Sequence, residues 1–427
     1  LSGCSEVSRM YSLEQWVRYG DEIRRPFHVN PNLPKSTRIV IVGGGLSGLS
    51  TAFLIARKRQ DVSIEIIEKE NRLGGVIDTW RSDEWCCDVA VNATRPHPSV
   101  WRLVKYLGLE KEFSQSRPEA RKRWIHDGNQ ARRLSPISAL KIGPIRLARS
   151  VKKARKGGRS VMDLIPDKEV ADALTLGVVN DVAINVDADF LFPTLTRFGA
   201  KPPKRWSGIK KEMMRTFPIF TPTKNSMSSF EGGMSTLTEK MITLLMQMSN
   251  VNISLNTRFK TPSEAANHFN VEQSSVIWTA PLDVREPDNK ISVFAVGYNE
   301  SDVESVETGY GTLIPNSDIP VSGILHESDI HSSRRAPDGF RLFRIMAPHS
   351  RWDGEQAEIR KSAKQFLSDR DPVIFELIGV RSIPAYRPGY MERISNKNPN
   401  YSRLGWNFSG VSITHVICEA ERVSDLF

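Results

Sequence analysis

The stretch Arg38–Gly75, RIVIVGGGLSGLSTAFLIARKRQDVSIEIIEKENRLGG, constrains the fold of this chain more than any other. Arg38–Val42 is a run of Ile and Val, as expected of a strand buried on both faces of a parallel sheet. Gly43–Gly48 follows at once and reads G-x-G-x-x-G. Leu49–Arg59 has helical spacing, and Ser63–Glu68 is a second strand that ends on an acid. Gly43 permits the tight turn out of the strand. Gly45 lets a pyrophosphate approach the backbone, and Gly48 lets the helix pack close to the strand. The helix N-terminus offers free N–H groups and a positive dipole end to phosphates. Glu68 stands 20 residues beyond Gly48, where an acid accepts hydrogen bonds from ribose hydroxyls. Strand, turn, helix, strand and acid in this order predict a βαβ unit that seats an adenine dinucleotide.

The rest of the chain reads as a mixture of strands and helices. Val76–Trp80 and Glu84–Val91 flank a turn at Ser82-Asp83, a hairpin pattern. Ser99–Leu109 is an amphipathic helix that stops at Gly108. Residues around Gly128-Asn129 form a second hairpin. Met162–Ile184, Ile209–Met214, Leu237–Met248 and Gln356–Leu367 read as helices, with Asp187–Leu195 a connection or short strand. Val251–Leu255, Val276–Thr279, Ile291–Tyr298, Gly323–His326 and Phe340–Met346 read as strands. The expected fold is α/β, a Rossmann-type dinucleotide-binding domain with a mixed-sheet substrate domain and a helical insertion. The divisions are an N-terminal arm over 1–36, the first part of the dinucleotide domain over 37–95, and a basic helical insertion over 96–215. The second part of that domain then spans 216–290, an antiparallel substrate-like domain 291–380, and a return to the first domain 381–427. Leu1–Ser36 is polar and irregular and reads as a solvated arm.

Net charge is +10 over 427 residues. Lys141–Ser160 carries eight Lys and Arg and no acid, which fits an anionic surface, either membrane lipid or RNA. The excess of base also suits a mitochondrial protein, and a removed targeting segment would suit a chain beginning at Leu1. The four cysteines have no zinc-site spacing and imply a reducing compartment. No H-E-x-x-H, C-x-x-C or G-x-S-x-G occurs, which argues against metal catalysis and a serine hydrolase.

Glu68, Arg72, Gly74 and Gly75 spell E-x-x-x-R-x-G-G after a dinucleotide fold. This resembles the FAD-dependent amine oxidase and protoporphyrinogen oxidase superfamily, and it implies FAD where the first motif alone left NAD open. Phe230–Met241, Ser275–Pro281, Phe294–Asn299, Gly309–Asp318, Gly323–Ser328 and Ile383–Ile394 resemble successive blocks of protoporphyrinogen oxidase. The resemblance implies Gly43, Gly45, Gly48 and Glu68 on the adenosine diphosphate, and Arg72, Gly74 and Gly75 toward the flavin. It also implies oxidation of protoporphyrinogen to protoporphyrin in haem synthesis, oxygen as the final acceptor, and a membrane-facing insertion.

Two family motifs are altered. An acid followed by Gly-Pro-Arg becomes Asp88-Val89-Ala90-Val91-Asn92, so Asn92 stands where the family's arginine faces flavin and substrate. Near the C-terminus an Asn-Asp pair becomes Thr414-His415. No catalytic residue is nominated; Asn92 and His415 occupy the places of the lost groups. Two readings follow. One is an FAD-dependent protoporphyrinogen oxidase. The other is a catalytically degraded relative serving as a structural or assembly subunit of a mitochondrial complex, a ribosome or a respiratory complex.

Overall fold

A computed structural model describes residues 11–134, 143–217, 226–281, 288–395 and 400–427. The first ten residues of the N-terminal arm and Lys141 of the basic stretch lie outside them. Five strands form a parallel sheet in the order Ser402–Arg403, Val276–Trp278, Arg38–Val42, Ser63–Ile67, Val251–Ser254. Their alternate residues serve two cores. Ile39, Ile41, Ile64 and Ile66 face the helices Leu46–Lys58, Ser235–Met246 and Ile413–Ser424, and Val40, Val42 and Ile67 face the helix Pro262–Phe269. Burial on both faces is what a near-continuous Ile/Val run demands. Arg38 pairs with Ser63 and Val42 with Ile67 in parallel register, so the predicted βαβ crossover is present.

The second sheet is mixed and seven-stranded, in the order Ile374–Pro384, Asp288–Asn299, Phe340–Pro348, Gly323–Leu325, Gly311–Leu313, Arg123–His126, Ala131–Arg133. Helix Gln356–Phe366 closes one face over Phe294, Val296, Phe343 and Ile345. The hairpin around Gly128-Asn129 thus joins the sheet of the substrate-like region by parallel pairing of Arg123–Ile125 with Gly311–Leu313. The first hairpin, Thr79–Ser82 with Trp85–Asp88, forms its own small sheet.

Three sequence expectations differ from the structure. The helix foreseen over Met162–Ile184 is three pieces, Val161–Leu164, Lys168–Val179 and a 3-10 turn Ala183–Asn185. Pro166 lies in the first break, and Asn180 ends the middle piece in the left-handed region at φ 52°. Asp187–Leu195 is neither strand nor plain connection: Asp187 Oδ1 accepts from Asp189 N at 2.7 Å and starts the short helix Ala188–Leu191. From Tyr11 on, the N-terminal segment is not a solvated arm. Ser12 caps the helix Leu13–Tyr19, and Trp16 and Ile23 are buried with Ile209 and Cys418. One tryptophan and one isoleucine placed a helical step from other apolar residues outweigh the polar composition around them.

Among the described residues no helix is long and apolar enough to cross a membrane.

Candidate dinucleotide site

The strand Arg38–Val42 ends at Gly43, whose φ of +115° favours glycine. Gly43 N donates to Ile67 O at 2.8 Å, and Thr279 Oγ1 donates to Val42 O and Gly43 O at 3.0 Å each. A Cβ on Gly43 would stand 2.9 Å from Ala280 N. Gly48 lies one helical turn further, and a Cβ there would run into Gly43 O. These two glycines therefore serve the packing of strand on helix.

Gly45 differs. A Cβ on it would meet only Gly75 Cα, at 3.7 Å. The helix Leu46–Lys58 that it opens has no side-chain cap. Ser47 Oγ, in the first turn, is buried without a hydrogen-bond partner. Uncapped first-turn N–H groups, an unpaired hydroxyl and an open glycine face are the features a diphosphate needs.

Gly74 N donates to Gly44 O at 2.9 Å, and Gly45 and Gly74 form an isolated parallel bridge. The two glycine motifs thus touch through backbone, with Gly74 and Gly75 at φ +103° and +60°. Arg72 sits beside them, half-exposed; its Nη2 donates to Gly75 O at 3.0 Å and reaches Asp78 Oδ2 at 3.4 Å. All seven residues singled out from the sequence, Gly43, Gly45, Gly48, Glu68, Arg72, Gly74 and Gly75, gather here.

Glu68 has a role that spacing did not show. Its Oε2 accepts from Gly44 N at 2.7 Å and its Oε1 from Glu70 N at 3.0 Å. The carboxylate clamps the glycine loop to the second strand. Each oxygen keeps a further lone pair, so the acid fits ribose hydroxyls as well as the loop. The residues present fit the adenosine diphosphate half of FAD.

The positions that the resemblance puts toward the flavin are packed against other parts of the chain. Asn92 is buried; Tyr310 OH donates to its Oδ1 at 3.1 Å, and its Nδ2 has no acceptor. Thr94 Oγ1 lies 3.1 Å from Thr414 Oγ1, which joins the segment after the first hairpin to the start of the helix Ile413–Ser424. His415 Nε2 lies 2.9 Å from Glu22 Oε2, and Arg95 Nη2 donates to Glu22 Oε1 at 2.6 Å. Gly410 has φ +106°, and a Cβ there would stand 2.7 Å from Arg25 Cζ. Arg25 Nη1 donates to Phe190 O at 2.7 Å.

Burial pushes His415 down to about 4, so it is a neutral imidazole donating Nε2–H to Glu22. Burial alone would raise Glu22, but the contacts of His415, Arg95 and Arg25 outweigh it and hold the carboxylate well below the usual range. Between Glu22, Arg25, Ser409, His415, Cys418 and Glu419 the free space amounts to about 10 Å³, room for one water at most. Glu22 and Arg25 are residues of this cluster that the sequence did not mark as part of the site. They belong to the N-terminal segment, and an acid and a base three apart on a polar stretch carry no signal of burial.

A buried charge network lies behind the hairpin. Met234 N and Thr79 Oγ1 each donate to Asp88 Oδ1 at 2.7 Å. Arg335 approaches Asp88 Oδ2 at 3.6 Å, Arg344 Nε pairs with Glu327 Oε1 at 2.9 Å, and His331 Nε2 lies 3.0 Å from Glu327 Oε2. Asp88, Glu327 and His331 are close enough to hold a cation. The two guanidinium groups already balance the two carboxylates, so a metal would add uncompensated charge in a buried place.

These features can be set beside known proteins. The NAD(P)-binding Rossmann-like domain family matches residues 41–107. Protoporphyrinogen oxidase of Schizosaccharomyces pombe is 24% identical over 84% of this chain and 90% of its own length. The L-amino-acid oxidase of Sistrurus catenatus edwardsii is 32% identical over 23% of this chain and 19% of its own. A solved structure from Exiguobacterium sp. 255-15, provisionally assigned as a protoporphyrinogen oxidase, superposes with a TM-score of 0.65 at 15% identity, covering 91% of this chain and 98% of that one. Putrescine oxidase bound to putrescine superposes with a TM-score of 0.58 at 12% identity, over 91% and 98%.

The parallel sheet, the glycine loop and the mixed seven-stranded sheet define the FAD-dependent amine oxidase class of fold. Within that class of fold, the chain is similar along most of its length to the protoporphyrinogen oxidase of Schizosaccharomyces pombe.

Proposed function

We propose that this chain keeps the seat for the adenosine diphosphate end of FAD but has given up oxidation of protoporphyrinogen, and that it serves as a structural or assembly subunit of a mitochondrial complex at an anionic surface. The observation that carries the reading is the packing of Glu22 and Arg25 against His415 and Gly410. That helix start is where the resemblance puts the flavin. A buried amide at Asn92 also offers no charge to a propionate, which forgoes a charge-assisted pair of about 1.5–3 kcal/mol.

In this reading each residue keeps a binding role. Gly45 and the uncapped helix start receive the diphosphate, Ser47 Oγ supplies a further polar contact, and Glu68 fixes both loop and ribose. FAD, when bound, is the group that accepts hydride in this class of fold. The test is to purify the chain, record flavin absorbance after incubation with FAD, and assay protoporphyrinogen turnover. Weak or absent flavin colour, no turnover and co-purification with a large mitochondrial assembly are expected. Turnover by flavin-loaded protein overturns the proposal.

That outcome is the second reading, an FAD-dependent protoporphyrinogen oxidase with oxygen as acceptor. It is favoured by the intact glycine seat and by similarity that runs along most of both chains. It requires Glu22 and Arg25 to leave their places when flavin binds.

The anionic surface would be met by the helix Pro144–Ala154. Ile145 and Leu147 are 69% and 37% exposed; Leu147 lies with Pro144, Ala148 and Val151 on one side of the helix, and Ile145 adjoins the side that carries Arg146, Arg149 and Lys153. An open cavity of about 610 Å³ lies along Pro144, Leu147, Ala148, Val151, Lys152 and Arg155. Exposed apolar side chains beside a basic stripe favour lipid over RNA, because phosphate contacts alone need no apolar face.

A further inference from the structure

The segment Gly20–Arg25 is tied down at both ends and poorly satisfied between them. Before it, the helix Leu13–Tyr19 is fixed by Trp16, buried with Ile209 and Cys418, and by Arg18 Nη2, which donates to Asp425 Oδ1 at 3.0 Å. After it, Arg403 N donates to His28 O at 2.9 Å and Asn30 N to Ser402 Oγ at 3.0 Å, which docks the chain on the strand Ser402–Arg403. The stretch between is a 3-10 turn, Gly20–Arg24, entered through Gly20 at φ +62°. Such turns have poorer hydrogen bonds than an α-helix and often mark hinges. This one carries two guanidinium groups inward. Arg24 and Arg25 are 6% and 4% exposed, and among the described residues the Nε of each has no hydrogen-bond acceptor. Buried donors left unpaired cost free energy that release into water recovers.

The turn stands within reach of the diphosphate seat. A Cβ on Gly405 would lie 3.6 Å from Ser47 Oγ, the unpaired hydroxyl of the seat. Gly405 opens the short helix Trp406–Ser409, which ends at Gly410, and a Cβ on Gly410 would lie 2.7 Å from Arg25 Cζ. At 1.5 Å per residue, about 8 Å of helix separates the seat from the turn. The ribityl chain and fused rings of FAD are longer than that. A ligand running from the seat along this helix meets Arg25, and then Glu22 against His415. We propose that Gly20–Arg25 is a displaceable plug, and that this chain takes up FAD only when the turn swings out between its two anchors. The proposal rests on the reading that the glycine loop seats the adenosine diphosphate. ADP ends at the seat and leaves the turn in place, whereas FAD must displace it. The apparent affinity for FAD is therefore reduced by the fraction of molecules in which the turn is open.

The test uses the full chain, with ADP and FAD as probes in titration calorimetry. The unmodified chain should bind ADP more tightly than FAD. Glu22→Ala removes the carboxylate that meets His415 and Arg95, and Arg25→Ala removes the side chain packed against Gly410. Each should tighten FAD about tenfold and leave ADP within about twofold, and circular dichroism should show both variants folded. The unmodified chain carries a second readout that needs no variant. Trypsin should cut between Arg24 and Arg25 faster with FAD present and no faster with ADP, because FAD alone exposes the turn. FAD binding as tight as that of ADP, unmoved by either substitution and without faster cleavage at Arg24, overturns the plug and leaves the seat standing. Failure of ADP to bind any folded form of the chain overturns the seat, and the plug with it.

Discussion

Glu22 Oε2 lies 2.9 Å from His415 Nε2, and this contact ties the N-terminal segment to the head of the C-terminal helix. In a Rossmann-type fold the ligand lies outside the carboxyl ends of the strands, where loops from distant parts of the chain converge. Here that convergence contains protein: Arg25, Arg95 and His415 gather around Glu22. The adenosine end, by contrast, has an unpaired Ser47 hydroxyl and an open Gly45. The division between a seat left open and an end closed by side chains is the basis of each prediction about ligands.

The glycines of the loop should separate into two kinds. Gly45→Ala adds a Cβ in ordinary contact with Gly75 Cα, at a φ of −80° that alanine accepts, so stability should change by less than about 0.5 kcal/mol. The same methyl stands where a diphosphate must approach, so binding of FAD or ADP should be lost. Gly48→Ala drives a Cβ into Gly43 O and should cost about 1–3 kcal/mol with or without ligand. Thermal denaturation with and without ADP distinguishes the two. Equal ligand-induced shifts for the unmodified chain and Gly45→Ala would remove the diphosphate from this loop.

The helix Pro144–Ala154 should bind vesicles containing phosphatidylserine and release them at high salt, with weak binding to neutral vesicles. Ile145→Asp replaces an exposed apolar side chain beside Arg149 with a negative charge and should reduce binding to anionic vesicles at least several-fold. Because Ile145 is 69% exposed, the melting temperature should not move. Co-flotation measures the first and calorimetry the second. Equal affinity for RNA before and after the substitution, with no vesicle binding, would assign the basic stripe to nucleic acid.

The βαβ seat was legible because its parts are local: strand, turn, helix and acid lie within 38 residues and each glycine has one physical reason to be there. The pairing of Gly74 with Gly44 follows from the same short stretch. What was not legible depends on contacts across the chain. Trp16 is buried by Ile209 and Cys418, and Glu22 by His415, distances in sequence of nearly 200 and 400 residues. Ile374–Pro384 escaped because its bulge breaks the alternation that marks a strand, and an edge strand is covered on fewer sides. Asn180 ended a helix by adopting a left-handed conformation that the apolar periodicity around it did not announce.

Acid should destabilise the protein above the pH range in which ordinary carboxylates titrate. Burial holds His28 to about 4, His97 to about 3 and His415 to about 4. In the unfolded chain each protonates near about 6.5. Between that pH and about 4 the unfolded state binds more protons, so stability is present above about 6.5 and is lost as pH falls. His415→Gln keeps an amide donor toward Glu22 and should make the melting temperature less steep in that interval. An unchanged slope would mean that His415 does not titrate on unfolding.

Glu419 runs the other way and isolates the buried cluster from the alkaline side. Burial pushes it up to about 7, against Gly405 N, which donates to its Oε2 at 3.1 Å, and the nearby Arg422 and Arg25. The unfolded carboxyl titrates near about 4.3, so between that value and about 7 the folded state holds the extra proton. Its contribution is therefore complete at low pH and disappears as pH rises through about 7. Above that point the folded protein must carry a desolvated carboxylate with no direct ion pair. Glu419→Gln preserves an acceptor for Gly405 N and removes the charge. At pH 8 it should stabilise the protein by up to about 3 kcal/mol, and at pH 4 it should be nearly neutral. Denaturant melts at the two pH values measure the difference directly, and a stabilisation that is the same at both would show that Glu419 is not held protonated by its burial.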